Sequence, residues 1–327
     1  MENNTVTLRT IKEAAEQIQY SIRRTPLEAS YYYSSLTGGN ITFKYENLQV
    51  TGSFKVRGAL NKLITLSDSD FDEGAVTVSA GNHALGFAFA CSQRGKKGKI
   101  ILPDNASPAK VETLKQFPVD CEFRGSDYDE AEQYTIKMVK EKGWHFVSPY
   151  NDPAIIAGQG TIGLEILEDQ SECDCILVPV GGGGLIAGIA LAAKSIRPEI
   201  KIYGIQSEAS PAFKRALEAG KIVETRLQES VADGLHGNIE PGSMTFPIVH
   251  AHVEDILLVS ENEIMSEFKP FIQNHHSLIE GSAAAIPAAV RKYSTFFKDR
   301  RIAGVLSGAN IDVDLLKNIL MHEDNTI

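Results

Sequence analysis

One lysine in this sequence stands where covalent chemistry with an aldehyde is favoured. Lys55 follows a glycine–serine turn at 52–53, lies between Phe54 and Val56, and comes after an extended segment at 41–46. Burial among apolar side chains favours the neutral amine over the ammonium ion. A neutral amine is what a Schiff base with an aldehyde cofactor requires. Taken alone, the residue would be interpreted as a surface lysine at the start of a helix, and three further segments are what favour the Schiff-base chemistry.

A run of four glycines forms a candidate phosphate site. The run follows an apolar strand predicted at 175–180 and precedes a helix predicted at 185–193, and it consists of Gly181, Gly182, Gly183 and Gly184. Glycines let backbone N–H groups converge on an anion, and the positive end of the helix dipole favours the anion's charge. The run therefore indicates a bound phosphate without indicating which one.

Two other interpretations of the glycine run have to be weighed. Gly182, Gly184 and Ala187 satisfy a loose dinucleotide-binding pattern. However, the next predicted strand ends at Gln206, where an acidic residue would be needed to hold a ribose. The uncharged stretch 175–193 is long enough to suggest a membrane span, but four consecutive glycines and a proline disfavour a single helix.

Two further segments place small polar residues where ligands bind in α/β proteins. One follows a strand predicted at 74–78 and opens a helix with Ser79, Ala80, Gly81, Asn82 and His83. Free N–H groups and polar side chains at a helix start suit a carboxylate ligand, although a plain helix cap, with Ser79 or Asn82 as the N-cap, is the alternative. The other is Ser307, which follows a strand predicted at 302–306 and lies at the strand's carboxyl end.

Together these segments resemble the fold-type II pyridoxal-phosphate enzymes, in particular the serine/threonine dehydratase (ammonia-lyase) branch of the catabolic type. The matching segments keep their order and spacing, and they are 46–59, 79–83, 157–161, 181–184, 204–208, 232–234 and 307–310. The resemblance implies an α/β fold of the tryptophan synthase β-like type, with two open, twisted, mostly parallel sheets flanked by helices. It also implies pyridoxal 5'-phosphate as the cofactor.

The resemblance implies a role for each candidate site residue. Lys55 would be the catalytic residue, forming the Schiff base with the cofactor and removing the Cα proton. The other cofactor contacts would be Phe54 on the ring, Asn82 at the phenolic oxygen, the amides of Gly181–Gly184 at the phosphate, Ser307 at the pyridine nitrogen and Glu280 near the ring. The substrate carboxylate would lie against Ser79, Ala80, Gly81, Asn82 and His83.

The implied reaction is β-elimination of an L-3-hydroxy amino acid, such as threonine or serine, to a 2-oxo acid and ammonia. A serine facing the ring nitrogen cannot force its protonation as a carboxylate would. The ring is then a weaker electron sink, which favours rapid loss of the β-hydroxyl. The alternatives are β-replacement as in cysteine synthase-like enzymes, a serine racemase-like activity and, in a different class, a non-enzymatic nucleotide-binding module.

Departures from the family pattern refine these expectations. Serine racemases of the family usually carry a serine where this chain has Ala80, so racemisation is not expected to be the main activity. Their metal site aligns with Gln206, Ser210 and Ala212, which lack the carboxylates that a divalent cation prefers. We therefore expect no bound metal. Leu85 replaces a glutamine usual in dehydratases, which leaves the identity of the substrate side chain open.

Length and chain order predict two domains. A chain of 327 residues can bury a large core, and alternating strands and helices indicate parallel α/β sheets. We expect a large cofactor-binding domain formed by residues 1–50 and 149–327. Residues 51–148 are expected to form a small domain carrying Lys55 and the substrate-carboxylate loop.

Composition restricts the partners. Lys and Arg number 32 against 42 Asp and Glu, a net charge of −10, which disfavours nucleic acid and anionic membranes. The polar start at residues 1–4 is no signal peptide, and four scattered cysteines do not form a disulfide framework. We expect a cytoplasmic protein that acts on a small amino acid and assembles as a homodimer or homotetramer.

Local patterns predict several further elements. Helices are expected at 7–22, with Thr7 as N-cap, and at 129–142, and strands at 99–103 and 119–123. The adjacent pair at 275–276 is interpreted as a solvated helix end, because two neighbouring histidines do not easily share one metal. His236, in a glycine-rich loop, is either a residue that shapes the substrate site or a plain loop histidine.

Overall fold

The strands of this protein form two separate sheets with helices on their faces. The computed structural model describes residues 5–104, 106 and 108–321, and leaves the side chains of 108–110 and 129 undescribed. In these residues the strands are β1 (Leu27–Ala29), β2 (Asn40–Lys44), β3 (Ala75–Val78), β4 (Gly98–Leu102), β5 (Val119–Phe123), β6 (His145–Phe146), β7 (Cys175–Pro179), β8 (Lys201–Ser207), β9 (Asp255–Val259) and β10 (Arg301–Val305).

The helices alternate with the strands along most of the chain. They are α1 (Leu8–Ile18), α2 (Tyr31–Thr37), α3 (Lys55–Thr65), α4 (Asp68–Glu73), α5 (Asn82–Arg94), α6 (Pro108–Leu114), α7 (Tyr128–Lys142), α8 (Pro153–Asp169), α9 (Gly184–Ile196), α10 (Ala212–Ala219), α11 (Thr245–His252), α12 (Glu261–Ser266), α13 (Phe268–His275), α14 (Gly281–Lys292) and α15 (Val313–Met321). Short 3₁₀ turns occur at Glu46–Leu48 and Asp233–Leu235.

Both sheets are mostly or wholly parallel. The larger sheet has the order β1-β2-β10-β7-β8-β9, with β1 antiparallel to β2 and the other pairs parallel. The smaller sheet has the order β5-β4-β3-β6 and is parallel throughout. Two mostly parallel sheets flanked by helices were expected, and this expectation is confirmed. The division into domains at residues 50 and 148 stays a prediction, although all strands of the smaller sheet lie between 75 and 146.

The core lies on both faces of the larger sheet. In β7, Ile176 and Val178 pack toward α8 and α9, while Cys175 and Leu177 pack toward α14 on the opposite face. This alternation follows from the two-residue period of a strand, and a strand that is apolar on both faces is typical of a parallel sheet covered by helices. The apolar stretch at 175–193 is therefore a buried strand, a loop and a helix. In the described part of the chain, no helix is long and apolar enough to cross a membrane.

Local predictions hold best where a capping side chain fixes the end of a helix. Thr7 caps α1 as predicted, and its hydroxyl accepts a hydrogen bond from the backbone of Thr10. The predicted extension of this helix to residue 22 is wrong. The helix ends at Ile18, and the chain turns so that the Arg23 amide donates to the side chain of Gln49. Helix α7 begins one residue earlier than predicted, because Asp127 is its N-cap.

A buried group of charges connects helix α3 to the larger sheet. The Arg57 guanidinium, which is fully buried, lies 2.8 Å from Glu46 and 2.6 Å from Glu165. Lys44, on β2, lies 2.5 Å from the other oxygen of Glu165. Two cations and two carboxylates balance one another, which removes most of the cost of burying each charge alone. This network fixes the first turn of the helix that begins with Lys55.

Candidate active site

A cavity of about 1080 Å³ opens where strands of both sheets end. Val78 at the end of β3, Pro179 at the end of β7 and Ser307 just after β10 contribute to its wall. Carboxyl ends of parallel strands are where ligands bind in α/β proteins. All the predicted site residues line this one cavity, namely Phe54, Lys55, Ser79, Ala80, Gly81, Asn82, His83, Gly181, Gly182, Gly183, Gly184, Glu280 and Ser307. Segments far apart in sequence are thus brought together, while the role of each residue stays a prediction.

Lys55 is the first residue of α3 and its amine points into this cavity. Its Nζ donates a hydrogen bond to the carbonyl oxygen of Pro149 at 2.8 Å and lies 5.3 Å from the centre of the Phe54 ring. Burial lowers the pKa of Lys55 from 10.5 to about 8, and the negative charge of Glu280 opposes part of that shift. The amine is therefore much easier to deprotonate than that of an ordinary lysine.

The turn before Lys55 is held against the end of β10. Ser53 pairs with Gly308 in an isolated β-bridge, and the Phe54 amide donates to the Ser307 carbonyl oxygen at 3.1 Å. Gly52 has φ +72, a left-handed conformation that favours glycine. The amine of Lys55 and the hydroxyl of Ser307 are therefore positioned by one continuous set of backbone contacts.

The glycine loop has the geometry of an anion site. Gly183 has φ +88 and is the N-cap of α9. A Cβ at Gly182 would lie 2.5 Å from the Tyr150 ring, and one at Gly183 would lie 2.5 Å from Phe213, so larger residues do not fit. In the described residues, no amide of Gly181, Gly182 or Gly183 donates to a backbone oxygen. These N–H groups, at the positive end of a helix, are available to a phosphate.

The predicted carboxylate loop leads into α5. Gly81 is the N-cap of this helix, and the Ser79 hydroxyl accepts a hydrogen bond from the Gly81 amide at 3.1 Å. The simple alternative, in which Ser79 or Asn82 caps the helix, is therefore wrong. A glycine cap has no side chain to satisfy the first N–H groups of the helix, which leaves them to an anionic ligand.

His83 is buried and uncharged. Burial, with a smaller effect of the nearby Lys55 charge, lowers the pKa of His83 to about 3. Its Nε2 lies 3.1 Å from the carbonyl oxygen of Val147 and must carry the proton to donate there. Its buried Nδ1 has no hydrogen-bond partner among the described residues. The imidazole presents a lone pair to its surroundings, so any contact of His83 with a carboxylate falls to its backbone N–H.

Glu280 and two asparagines form a hydrogen-bond network in the cavity wall. Glu280 is the N-cap residue of α14 and is nearly fully buried. Its two oxygens accept from the Asn82 side-chain nitrogen at 2.8 and 3.0 Å, and one also accepts from the Asn310 amide at 3.1 Å. A Cβ at Gly308 would lie 2.7 Å from this carboxylate. Glycine at 308 is thus what allows Glu280 to reach the network.

Ser307 carries a polar atom that only a ligand or water could pair with. Ser307 is 2% exposed, and its hydroxyl has no hydrogen-bond partner among the described residues. The nearby wall residue Ser282 has the same property. Buried polar atoms are nearly always hydrogen-bonded in native proteins. An orphaned hydroxyl lining a cavity therefore indicates a ligand with a nitrogen or oxygen atom at this point.

Sequence reasoning assigned no role to several residues of the site. Pro149 supplies the oxygen that holds the Lys55 amine, and Tyr150 packs its ring against the glycine loop. No local pattern indicates either residue. Asn310 belongs to the matched segment 307–310 but received no role, although it contacts Asn82 through its side chain.

The positions of the racemase metal site are occupied by internal hydrogen bonds. The Gln206 side chain donates to the Val180 carbonyl oxygen and accepts from the Lys214 amide. The Ser210 hydroxyl donates weakly to the Leu235 carbonyl oxygen and accepts from the Gly237 amide. Within the described residues no cluster of three histidine, cysteine, aspartate or glutamate side chains could hold a metal. The absence of a bound metal stays a prediction.

The predictions for His275 and His236, which lie outside the Glu280 hydrogen-bond network, have different outcomes. The interpretation of 275–276 as a solvated helix end is wrong for His275, which stacks on Phe271 with ring centres 4.6 Å apart and bonds Ser30 and Tyr45. Burial lowers the pKa of His275 to about 4. His236 is exposed and lines the cavity, so both interpretations of it stay open.

The sequence and the fold of this chain are similar to those of known enzymes. The model of a family described as "Pyridoxal-phosphate dependent enzyme" matches residues 18–308. The chain is 40% identical over 311 residues, 94% of each chain, to the catabolic L-threonine dehydratase TdcB of Escherichia coli K12.

Two solved structures are similar over nearly their whole length. Maize serine racemase is 32% identical with a TM-score of 0.91, covering 96% of this chain and 97% of that chain. The processed threonine deaminase isoform 2 of Solanum lycopersicum is 31% identical with a TM-score of 0.90, covering 98% and 91%. The backbone is thus shared by relatives with different reactions, and the choice between the reactions depends on individual side chains.

Proposed function

Since the chain belongs to the family of pyridoxal-phosphate dependent enzymes, we propose that it is an ammonia-lyase that converts L-threonine or L-serine to a 2-oxo acid and ammonia. The expected cofactor is confirmed by the family, and the expected fold-type II class by the two sheets and the solved relatives. The observation that carries the proposal is the convergence of the Lys55 amine, the glycine loop and the orphaned Ser307 hydroxyl on one cavity.

The residues of the cavity fit the chemical groups of pyridoxal phosphate. Amides of the glycine loop would hold its phosphate, the Ser307 hydroxyl would bond its ring nitrogen, and the Asn82 side chain would donate to its phenolic oxygen. Phe54 and Glu280 would be its neighbours at the ring. The bound cofactor supplies an electron sink for the electron pair that stays on the substrate when Cα loses its proton.

Lys55 acts on the substrate as a base at Cα. A pKa near 8 keeps a useful fraction of the amine unprotonated at neutral pH while leaving it basic enough to accept a proton. The Pro149 carbonyl oxygen orients the Nζ atom by accepting one of its hydrogens. Ser79 and the N–H groups that open α5 hold the substrate carboxylate, which aligns Cα with the amine.

Two uncharged side chains favour elimination over the competing reactions. The hydroxyl of Ser307 would bond the ring nitrogen without forcing its protonation, which would make the cofactor a weaker electron sink and favour rapid loss of the β-hydroxyl. Ala80 offers no proton donor for return of a proton to the opposite face of Cα. The proton that Lys55 takes from Cα would pass to the departing β-oxygen, so that the Cβ–O bond breaks, the Cα=Cβ bond forms and water leaves. The released enamine would become an imine by moving a proton from nitrogen to Cβ, and hydrolysis of the imine consumes water and yields the 2-oxo acid and ammonia.

The charge of the cavity wall favours a substrate with a neutral side chain. Among the described lining residues, Lys55 is the only lysine or arginine. The acidic lining residues are Asp127, Glu132, Asp233, Glu240, Glu280, Asp312 and Asp314. One carboxylate of the substrate has the N–H groups at the start of α5, whereas a second carboxylate would face a wall on which the described carboxylates outnumber the one lysine. We infer that threonine and serine are accepted and that 3-hydroxyaspartate is rejected.

The same proposal covers location and assembly. The net charge of −10 supports a protein that binds neither nucleic acid nor anionic membranes. We propose that it works in the cytoplasm as a homodimer or homotetramer with a small amino acid as its substrate. Gel filtration with light scattering on the purified protein tests the assembly.

The second candidate is a serine racemase-like activity, which the likeness to maize serine racemase favours. The side chains at 80, 206, 210 and 212 disfavour racemisation, because they provide neither a second proton donor nor carboxylates for a metal. Chiral chromatography of serine recovered from the reaction separates the two candidates, since only a racemase accumulates the D-enantiomer as fast as 2-oxo acid forms.

The experiment that tests the proposal measures 2-oxo acid release from L-threonine, L-serine and L-3-hydroxyaspartate by the protein loaded with pyridoxal phosphate. We expect turnover of the first two, at least tenfold less with the third, and none with Lys55→Ala. Lys12→Ala, a change of an exposed lysine on α1, is the matched control. Cysteine formation from serine and sulfide would instead show a β-replacement enzyme. A protein that binds nucleotides and not pyridoxal phosphate would contradict the family assignment.

A further inference from the structure

Asn310 bridges two segments of the site that are far apart in sequence. Its side-chain nitrogen lies 2.7 Å from the Asn82 side-chain oxygen and 2.9 Å from the Thr51 carbonyl oxygen. Its own amide donates to Glu280 at 3.1 Å. A Cβ at Gly52 would lie 2.6 Å from the Asn310 side-chain oxygen, so glycine in the turn before Lys55 makes room for this bridge.

The chemistry of these partners fixes the direction of both side-chain amides. The Thr51 carbonyl oxygen can only accept, so the end of Asn310 that faces it must be the nitrogen. The same nitrogen faces Asn82, so the near end of Asn82 must be its oxygen. The far end of Asn82 is then its nitrogen, which meets the Glu280 carboxylate, again a group that only accepts. A backbone carbonyl at one end and a carboxylate at the other leave one orientation for each amide.

This orientation matters for the cavity that Asn82 lines. With its oxygen held by Asn310, Asn82 directs N–H groups along the wall shared with Glu280. A ring oxygen that carries negative charge needs a donor, and the reverse orientation would present an acceptor that repels it. Without Asn310, the oxygen of Asn82 loses this partner, and the Glu280 carboxylate is left as the one group of the described network that still holds the orientation of its amide.

We propose that Asn310 is a positioning residue, which acts through Asn82 by holding, together with Glu280, the amide orientation that would donate to the phenolic oxygen of pyridoxal phosphate. The proposal rests on the cofactor contact assigned to Asn82 in the proposed function. It deepens that assignment, because it attributes part of the hold on the Asn82 amide to a residue that does not touch the reacting atoms. Its second bond, to Thr51, links the same orientation to the turn that carries Lys55.

The test is a double-mutant cycle on cofactor binding, which requires no turnover. The dissociation constant of pyridoxal phosphate is measured by equilibrium dialysis for wild type, Asn82→Ala, Asn310→Ala and the double variant. A lost hydrogen bond to a charged oxygen corresponds to about 10- to 100-fold weaker binding, and we expect a loss in this range for both single variants. If Asn310 acts through Asn82, the double variant loses no more than Asn82→Ala alone.

A spectroscopic readout separates positioning from a general loosening of the site. Titration of the visible absorbance of the bound cofactor against pH should show a displaced midpoint in Asn310→Ala, in the same direction as in Asn82→Ala. Asn310→Asp should weaken binding further than Asn310→Ala, since a carboxylate repels both the Thr51 and the Asn82 oxygens. Asn274→Ala, an exposed position on α13, is the matched control and should bind as wild type does.

The outcomes distinguish this inference from the proposed function. Losses that multiply in the double variant, or an unchanged absorbance midpoint in Asn310→Ala, would overturn the role of Asn310. If the wild-type protein binds the cofactor but releases no 2-oxo acid, the proposed reaction is wrong. The double-mutant cycle on cofactor binding would still test the role of Asn310 in that case. If Asn310→Ala does not fold, Asn310→Ser in the same cycle gives the same comparison.

Discussion

The lowered pKa of Lys55 predicts how the protein should capture its cofactor as pH changes. Only the neutral amine attacks the aldehyde of pyridoxal phosphate. Burial lowers the pKa of this amine from 10.5 to about 8. The neutral fraction rises with pH and saturates above the pKa. The capture rate of the cofactor-free protein should therefore rise about tenfold per pH unit below pH 8 and level off above it.

The size of the effect follows from the two pKa values. At pH 7 a group with a pKa of about 8 is neutral in about 10% of molecules, while one with a pKa of 10.5 is neutral in about 0.03%. Lys55 should then react about 300-fold faster at pH 7 than an exposed lysine of equal intrinsic reactivity. The charge of Glu280 raises the pKa of Lys55. Glu280→Gln should therefore move the midpoint of the profile below pH 8 and increase the capture rate at pH 7.

The assay is stopped-flow absorbance of pyridoxal phosphate mixed with cofactor-free protein from pH 6 to pH 10. A parallel series with Nα-acetyllysine corrects for ionisation of pyridoxal phosphate itself, and Lys55→Ala gives the background. A corrected rate that still rises tenfold per unit up to pH 10 would show that the Lys55 amine is solvated. An unchanged midpoint in Glu280→Gln would show that the carboxylate does not act on it.

Three further changes test other parts of the site. Arg57→Met leaves two buried carboxylates with one cation fewer, so the free energy of unfolding in urea should fall by about 3–5 kcal/mol, whereas exposed Arg9→Met should change it little. Ala80→Ser adds a hydroxyl on the face opposite the base and should raise the ratio of D-serine to pyruvate in chiral chromatography; an unchanged ratio would contradict the role given to Ala80. Because Gln206 and Ser210 are engaged with backbone groups, EDTA should leave activity and melting temperature nearly unchanged, and a loss restored by magnesium would show that the protein binds a divalent cation.

Short-range patterns were sufficient for the elements that present the site. The strand at 119–123 and the cap at Thr7 lie where the sequence places them. The glycine loop also stands between a strand and a helix as predicted. These features depend on backbone preferences and hydrogen bonds over a few residues, which a local pattern records. The motifs around Lys55 and Ser307 were recognisable for the same reason.

Only the tertiary structure could decide what surrounds those motifs. Arg57 meets Glu165 across 108 residues, and Asn310 meets Asn82 across 228. The pKa of Lys55 depends on burial in a cavity whose walls come from both sheets. The interpretation of His275 as a solvated helix end was wrong because Tyr33, which stacks on its ring, and Ser30 and Tyr45, which hydrogen-bond it, come from segments far away in sequence. Local sequence determines which reactive groups the chain carries and which turn or helix start presents them. The desolvation that lowers the pKa of Lys55 and the orientation of the Asn82 and Asn310 amides arise from contacts between distant segments, so they exist only once the chain is folded.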